Sequence, residues 1–414
     1  MDHDIYNYKR RLEREITILK EDPAISAPNK ETIMQFADYA FSQGISTGRI
    51  IRYFFDLKTI SRYLSKDFER ANRDDIQVLL GNLERSGKYS RSTIRDLKLT
   101  LRKFFKWLRK TDAFPEEVNW FKTHIKYEGI KNPEDMLVEA EIVRMIDSCS
   151  KFRDRAFISM LYESGCRIGE LLPLQLNQVK LDAFGALLLV SGKTGFRRVR
   201  IIGSAPYLIE WLNKHPQKDN PRAFLWITSR DKRLSYGGVN EVLKKAAIRA
   251  NVNKKVNPHN YRHSRASYLA NHLTEAQMKE YFGWTQASKM AAVYVHLSGR
   301  DVDSALLKVY GIENNEQKQE SLLKPRNCPR CGETNQATNK FCQKCGMPLG
   351  QAAISEIVQK DLERREADKV LDSLLKDDEF REMFVRKVAI MKEKSAPQSK
   401  TSHTGHFQSD PSGL

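Results

Sequence analysis

The sequence predicts a multidomain chain: an all-α domain, a mixed α+β domain, then a small four-cysteine module with a helical tail. Three observations carry this prediction. Apolar residues recur at three- and four-residue spacing throughout 29–126, as amphipathic helices require. In 137–312 the same spacing is interrupted by "QVKLDAFGALLLVSGKTGFRRVRIIG", short apolar or alternating runs around glycine turns, the mark of a small antiparallel sheet. Beyond 326, two Cys-x-x-Cys pairs stand 11 positions apart, from Cys331 to Cys342.

Composition limits the function. The 414 residues carry 70 Lys and Arg against 52 Asp and Glu, a net charge of +18, so the partner is an anion. An acidic membrane is the weaker choice, because no apolar run approaches the roughly 20 residues of a span. The start, "MDHDIYNYKRRLEREI", lacks the apolar stretch of a secretory leader, which predicts a cytoplasmic protein with reduced thiols. Six cysteines are therefore not read as disulfides.

Residues 1–28 read as a charged helical lead-in. In 29–126, "NKETIMQFADYAFSQG", "GRIIRYFFDLKTISRYLSK", "RDDIQVLLGNLERSGKY" and "SRSTIRDLKLTLRKFFKWLRK" are four helices separated by glycines and polar breaks. The fourth interleaves Arg91, Arg95, Lys98 and Arg102 with Leu97, Leu101, Phe104 and Phe105. That pattern fits a solvated basic face over a core stripe, and in so basic a chain it makes Arg91, Arg95, Lys98 and Arg102 candidate contacts to a phosphate backbone. "KYEGIKNPEDM" places a linker at 127–136.

Four segments of 137–312 carry groups suited to chemistry on a phosphodiester. In "ESGCRIGELLPL", Gly165 can stop a helix, Arg167 follows the break, and Glu170 stands three residues on, able to hold the guanidinium. In "VSGKTGFRRV", Lys193 sits at a hairpin tip. In "NPHNYRHSRAS", Pro258 starts a helix that puts His259 and Arg262 on one face. In "EYFGWTQASKMAAVYVH", Gly283 ends a helix, and Ser288 can cap the next, which carries Tyr294. Each fragment also has an ordinary structural explanation; their order in one chain is what singles them out.

That order resembles the tyrosine recombinase (phage integrase) family, Xer-type members included. "GCRIGEL" matches its first arginine box, "SGKTG" its hairpin lysine, "HNYRHSRAS" its His-x-x-Arg box and "GWTQASKMAAVYVH" its tyrosine box. The preceding bundle is similar to the family's SAM-like core-binding domain. Trp284 stands where His is more usual, and ten positions rather than nine separate it from Tyr294. The resemblance implies a site-specific recombinase or integrase in which Tyr294 attacks the scissile phosphate and forms a 3′-phosphotyrosine, with no high-energy cofactor. Arg167 and Arg262 then hold the non-bridging oxygens and Lys193 protonates the departing 5′-oxygen. His259 takes the tyrosine proton or neutralises the phosphate, and Trp284 orients it. Glu170, His263 and His296 are read as supporting residues. The implied partners are double-stranded DNA and, through the 297–312 extension, three further copies in a homotetramer. No catalytic metal and no membrane are implied. A type IB topoisomerase, or a DNA-binding regulator that kept the fold, remains an alternative. Integration of a mobile element and resolution of chromosome or plasmid dimers both fit, with the added module favouring integration.

In "CPRCGETNQATNKFCQKCG", Cys328, Cys331, Cys342 and Cys345 form two knuckles, each followed by Gly, the pattern of a closed structural Zn²⁺ site within 326–350. Iron is the formal alternative for four thiolates. Cys149 and Cys166 read as buried apolar residues. Residues 351–393 are one or two charged helices, and 394–414 have the composition of a disordered tail.

Overall fold

A computed structural model describes residues 4–124, 133–192, 195–297, 310 and 321–395. The chain divides into two units, residues 1–325 with 336–338, and residues 326–335 with 339–414.

The first unit opens with a helical bundle: α1 (Tyr8–Glu21), α2 (Ala27–Ser42), α3 (Thr47–Tyr63), α4 (Arg73–Arg85), α5 (Arg91–Leu108) and the short α6 (Glu116–Asn119). The starts are set by side-chain caps that satisfy the free N–H groups of each first turn. Ser26 and Ser90 cap α2 and α5, and Asn72 forms a reciprocal box with Asp75 on α4. The three-and-four spacing turns Phe36, Phe54, Leu57, Leu79, Leu101 and Phe104 into one core, where the Phe104 ring meets Phe36 and Phe68 edge-on.

The lead-in is more than a charged helix. Leu19 of α1 is buried in the bundle core, whereas Ile5, just before α1, is buried in the core of the α+β domain. Tyr6 packs on Tyr236, and Arg233 donates to the Asp4 carbonyl at 3.1 Å. Most of the 127–136 linker lies outside the described residues; its end is anchored by buried Met136 and by Leu137, whose N–H donates to Ser264 at 2.8 Å.

The α+β domain runs through α7 (Glu139–Asp147), α8 (Phe152–Ser164), α9 (Ile168–Leu171), β1 (Val179–Asp182), β2 (Gly185–Gly192) and β3 (Gly195–Ile201). It continues with α10 (Ala205–Asn213), α11 (Tyr236–Arg249), α12 (Pro258–Ala270), α13 (Glu275–Phe282) and α14 (Met290–Leu297). The strands form an antiparallel meander β1-β2-β3, paired to its end at Gly192↔Gly195. Alternation sends Ala186, Leu188, Val190, Val199 and Ile201 into the core beside Phe157, Leu161, Leu171 and Trp226. A second, smaller cluster joins α12, α13 and α14 through Ala266, Met278, Phe282, Ala291 and Tyr294. The polar stretch at 313–327 closes on this domain at its described end. Leu323 is buried in the core, and Glu139 accepts hydrogen bonds from the Ser321 hydroxyl and the Leu322 N–H.

Gly165 sets the direction in which the chain leaves α8. It stops that helix in the left-handed region (φ 54°), and a Cβ there would collide with the Phe282 ring. Gly165→Ala is expected to lower stability by about 1–2 kcal/mol from backbone strain alone, before the ring has to move. An unchanged melting temperature would refute this packing.

The second unit holds the two-residue strands β4 (Arg326–Asn327) and β5 (Thr334–Asn335), paired antiparallel, then α15 (Gln351–Leu374) and α16 (Asp378–Ser395). Asp377 caps α16 by accepting from the Phe380 N–H at 2.8 Å, which is why the charged stretch is two helices.

Candidate active site and metal centre

The site is built on the C-terminal ends of two helices. The last carbonyls of a helix have no partner within it and carry partial negative charge, so they attract cations. At the end of α8, the Gly165 carbonyl accepts from Arg262 Nη1 at 2.7 Å. At the end of α13, the Phe282 carbonyl accepts from Arg262 Nη2 at 2.6 Å, and the Gly283 carbonyl accepts from Arg167 at 3.3 Å. Two guanidinium groups from distant segments meet there.

Glu170 holds the first of them. Arg167 is the N-cap of α9, and Glu170, one turn on, reaches back to accept from both the Arg167 N–H and its Nη1, each at 2.9 Å. The carboxylate is only 2% exposed, a position that is costly without partners. A third guanidinium completes its shell: Arg197 on β3 donates to Oε2, the oxygen that also takes the Arg167 N–H, at 2.9 Å and to the Tyr281 carbonyl at 3.1 Å. Burial alone would raise the Glu170 carboxyl, but hydrogen bonds from Arg197 and Arg167 hold it below the usual carboxylate range. Arg197 Nη1 is buried with no hydrogen-bond partner among the described residues.

Arg167 keeps 36% of its side chain exposed, so an anion can reach it. Arg262 is 6% exposed and lies over the rings of Phe282 and Trp284, at 5.0 and 5.5 Å. Burial and the neighbouring Arg167 charge push its guanidinium down to about 10, so it stays cationic at neutral pH.

α12 begins at the Asn257 cap with Pro258 in its first turn and carries His259, Arg262 and His263. The His259 and His263 rings meet edge-to-face at 4.3 Å. Tyr294, on α14, is 2% exposed. Its ring lies parallel to Trp284 at 5.8 Å, and its hydroxyl is hydrogen-bonded to His263 Nδ1. Trp284 in turn stacks on Phe282 at 4.9 Å.

Arg167, Glu170, His259, Arg262, Trp284 and Tyr294 thus all sit around the α8, α12 and α13 junction. Lys193 lies outside the described residues, but the hairpin end that bears it is placed: a Cβ on Gly192 would stand 2.5 Å from Glu170 Oε1. His296 is on α14, and nothing further is described of its side chain. One residue, Arg197, escaped the sequence reading, and so did the contact of another, His263. Arg197 shares a strand face with buried Val199 and Ile201, and an arginine on the inward face was a legible signal. The direct contact of His263 with the tyrosine arises only from helix packing.

Arg102, a candidate DNA contact, has internal partners. Arg102 folds back onto the carbonyls of Val118, Asn119 and Phe121 and onto the Thr123 hydroxyl, and so ties down the segment after α6. That irregular segment needs donors for its carbonyls, and Arg102 supplies them. Arg95 pairs with Asp96 and Lys98 with Glu84, both pairs at the surface.

In the second unit the four sulfurs of Cys328, Cys331, Cys342 and Cys345 all lie within 4.8 Å of one another. Cys328 and Cys345 are 3.5 Å apart and Cys331 and Cys342 3.6 Å. Zn–S bonds of about 2.3 Å require sulfur separations near ~3.8 Å in a tetrahedron, so these residues fit Zn²⁺ with no open position. Gly332 and Gly346, both at φ 71°, make the turns that fold each knuckle, and the Asn335 amide donates to Cys342 Sγ.

A helical bundle followed by this α+β domain is the architecture of an enzyme that cleaves and rejoins DNA strands, a tyrosine recombinase. The chain belongs to the phage integrase family: residues 135–300 match that family and residues 33–112 its N-terminal SAM-like domain. Residues 327–349 match a zinc-ribbon domain. The tyrosine recombinase XerD of Staphylococcus epidermidis is 28% identical over 274 residues, 62% of this chain and 90% of the relative. XerD of Staphylococcus aureus is 26% identical over 273 residues. A XerH site-specific recombinase bound to palindromic difH substrate superposes with a TM-score of 0.51 at 18% identity, over 74% of this chain and 94% of that one. A lambda integrase dimer bound to a COC′ core site gives 0.52 at 16%, over 66% and 78%. These two likenesses concern the fold.

Proposed function

We propose that the chain is a site-specific recombinase acting on double-stranded DNA, with Tyr294 as its nucleophile. The observation that carries this reading is Trp284, one indole in contact with both the Arg262 guanidinium and the Tyr294 ring. A phosphate held by the arginines is thereby within reach of the phenol. Tyr294 Oη attacks phosphorus and the bond to the 5′-oxygen breaks, leaving a 3′-phosphotyrosine and a 5′-hydroxyl. The attack reverses with an equal bond exchange, so no energy source is needed. Arg167 and Arg262 stabilise charge gathering on the non-bridging oxygens. Lys193 supplies the proton to the 5′-oxygen, His259 stands by the phosphate, and Glu170 fixes Arg167. Arg91, Arg95, Lys98 and Arg102 are the backbone contacts of the bundle. Four copies assemble on DNA, in the cytoplasm and on the nucleoid.

The test is covalent capture. The full chain is incubated with sheared genomic DNA from its own organism, protein-linked DNA is precipitated under denaturing conditions, and the captured ends are sequenced. Ends clustered at one site type, then trapped on a nicked suicide duplex of that sequence, support the reading. No covalent product would leave a DNA-binding regulator, and relaxation of any plasmid without exchange would leave a type IB topoisomerase. Ends that map to a mobile element indicate integration, and ends at one chromosomal or plasmid locus indicate dimer resolution.

EDTA is expected to leave cleavage unchanged in protein that already holds its structural zinc, because two arginines and a lysine meet the phosphate charge. Strict dependence on added Mg²⁺ would indicate a two-metal nuclease.

A further inference from the structure

We propose that His263 is the catalytic base that takes the proton from Tyr294. The inference rests on the reading of Tyr294 as nucleophile. Successive residues of a helix are turned by about 100°, so Arg262 and His263 of α12 face different neighbours. Arg262 points at the carbonyls of Gly165 and Phe282, while His263 points at α14 and bonds the Tyr294 hydroxyl through Nδ1. His259, one turn earlier, packs against the His263 ring and so backs it.

Tyr294 is almost wholly buried, which leaves bulk water little access to its proton. The acceptor must touch Oη, and His263 does. An imidazole, whose ordinary pKa is near ~6.5, suits proton transfer at neutral pH. As Oη bonds to phosphorus, its proton passes to His263 Nδ1, giving an imidazolium. The bond from phosphorus to the 5′-oxygen breaks, and that oxygen takes its proton from a separate acid. In the return step the incoming 5′-hydroxyl gives its proton back to that acid's conjugate base and displaces Tyr294, while His263 returns its proton to Oη.

Single-turnover cleavage by the full-length chain on the nicked suicide duplex tests this, with an ordinary phosphate or a 5′-bridging phosphorothiolate at the scissile position. The sulfur leaving group needs no proton, so it repairs the loss of an acid and not of a base. His263→Ala is expected to slow cleavage on the order of 10²- to 10⁴-fold on both substrates alike, with DNA binding retained and partial recovery in added imidazole. His263→Asn can still accept a hydrogen bond from Tyr294 and cannot carry the proton away; it should be as slow as the Ala variant. It also serves where the Ala variant fails to fold. Near wild-type cleavage by His263→Asn, or repair of His263→Ala by the phosphorothiolate, would overturn the inference and leave Tyr294 capture standing. No capture by the wild-type chain on either substrate would overturn the recombinase reading, and this inference with it.

Discussion

Tyr294→Phe should abolish covalent capture of DNA while leaving DNA binding close to wild type. The substitution removes one oxygen from a buried ring, so the stack on Trp284 and the packing of α14 on α12 and α13 remain. Losing the hydrogen bond to His263 costs about 1–3 kcal/mol at most, which the separate core of the α+β domain can bear. The arginines rest on Glu170 and on helix-end carbonyls, which the substitution leaves in place, so the phosphate clamp is intact. Loss of a nucleophile costs on the order of 10⁶-fold in rate, which puts the variant below detection on a denaturing gel. Neighbouring tyrosines cannot replace it. Tyr281 donates its hydroxyl to the Glu163 carbonyl and Tyr261 donates to Met145, and burial pushes both phenols above their ordinary range. A covalent band from the Phe variant would move the nucleophile elsewhere and end the assignment.

The parts of this site that sequence revealed are those fixed by local backbone chemistry. Gly165 and Gly283 end helices because only glycine takes the left-handed turn at little cost, and Pro258 opens one because its ring suits a first turn. Those breaks placed Arg167 at an element end, and Arg262 and Tyr294 on the helices that follow Pro258 and Gly283. What stayed hidden depends on which elements pack together. The Arg197–Glu170 pair needs the strand β3 to lie beside α9, and no local pattern specifies that neighbour. The internal partners of Arg102 stayed hidden for the same reason: its helical position is consistent with a solvated basic face, yet the carbonyls it serves belong to residues 16 to 19 positions further on. The lead-in hid its anchor too, since a lone Ile5 in a charged segment has no periodicity to betray burial. The cysteine module was legible throughout, because four thiolates at this spacing have few other uses.

Replacing Cys328 and Cys331 with Ser should release one zinc per chain and unfold only the residues around 326–350. The buried side chains that the second unit contributes to that segment are chiefly Cys328, Cys342 and Asn335, and its sheet is two residues long on each strand. So little apolar surface cannot offset the entropy of ordering some 25 residues at roughly 1–2 kcal/mol each. Metal coordination supplies the folding free energy, on the order of 10 kcal/mol, and a serine hydroxyl does not replace a zinc thiolate. The α+β domain buries its own cores around Trp226 and Phe282, so covalent capture on the suicide duplex should persist in the double variant. If the ribbon grips DNA or joins protomers, complete strand exchange should fall further than cleavage does. Metal analysis of freshly reduced protein gives the stoichiometry, and hydrogen exchange shows where protection is lost. No zinc in the wild type would refute the metal assignment, and loss of protection across α8 and α12 in the variant would refute independent folding of the catalytic domain.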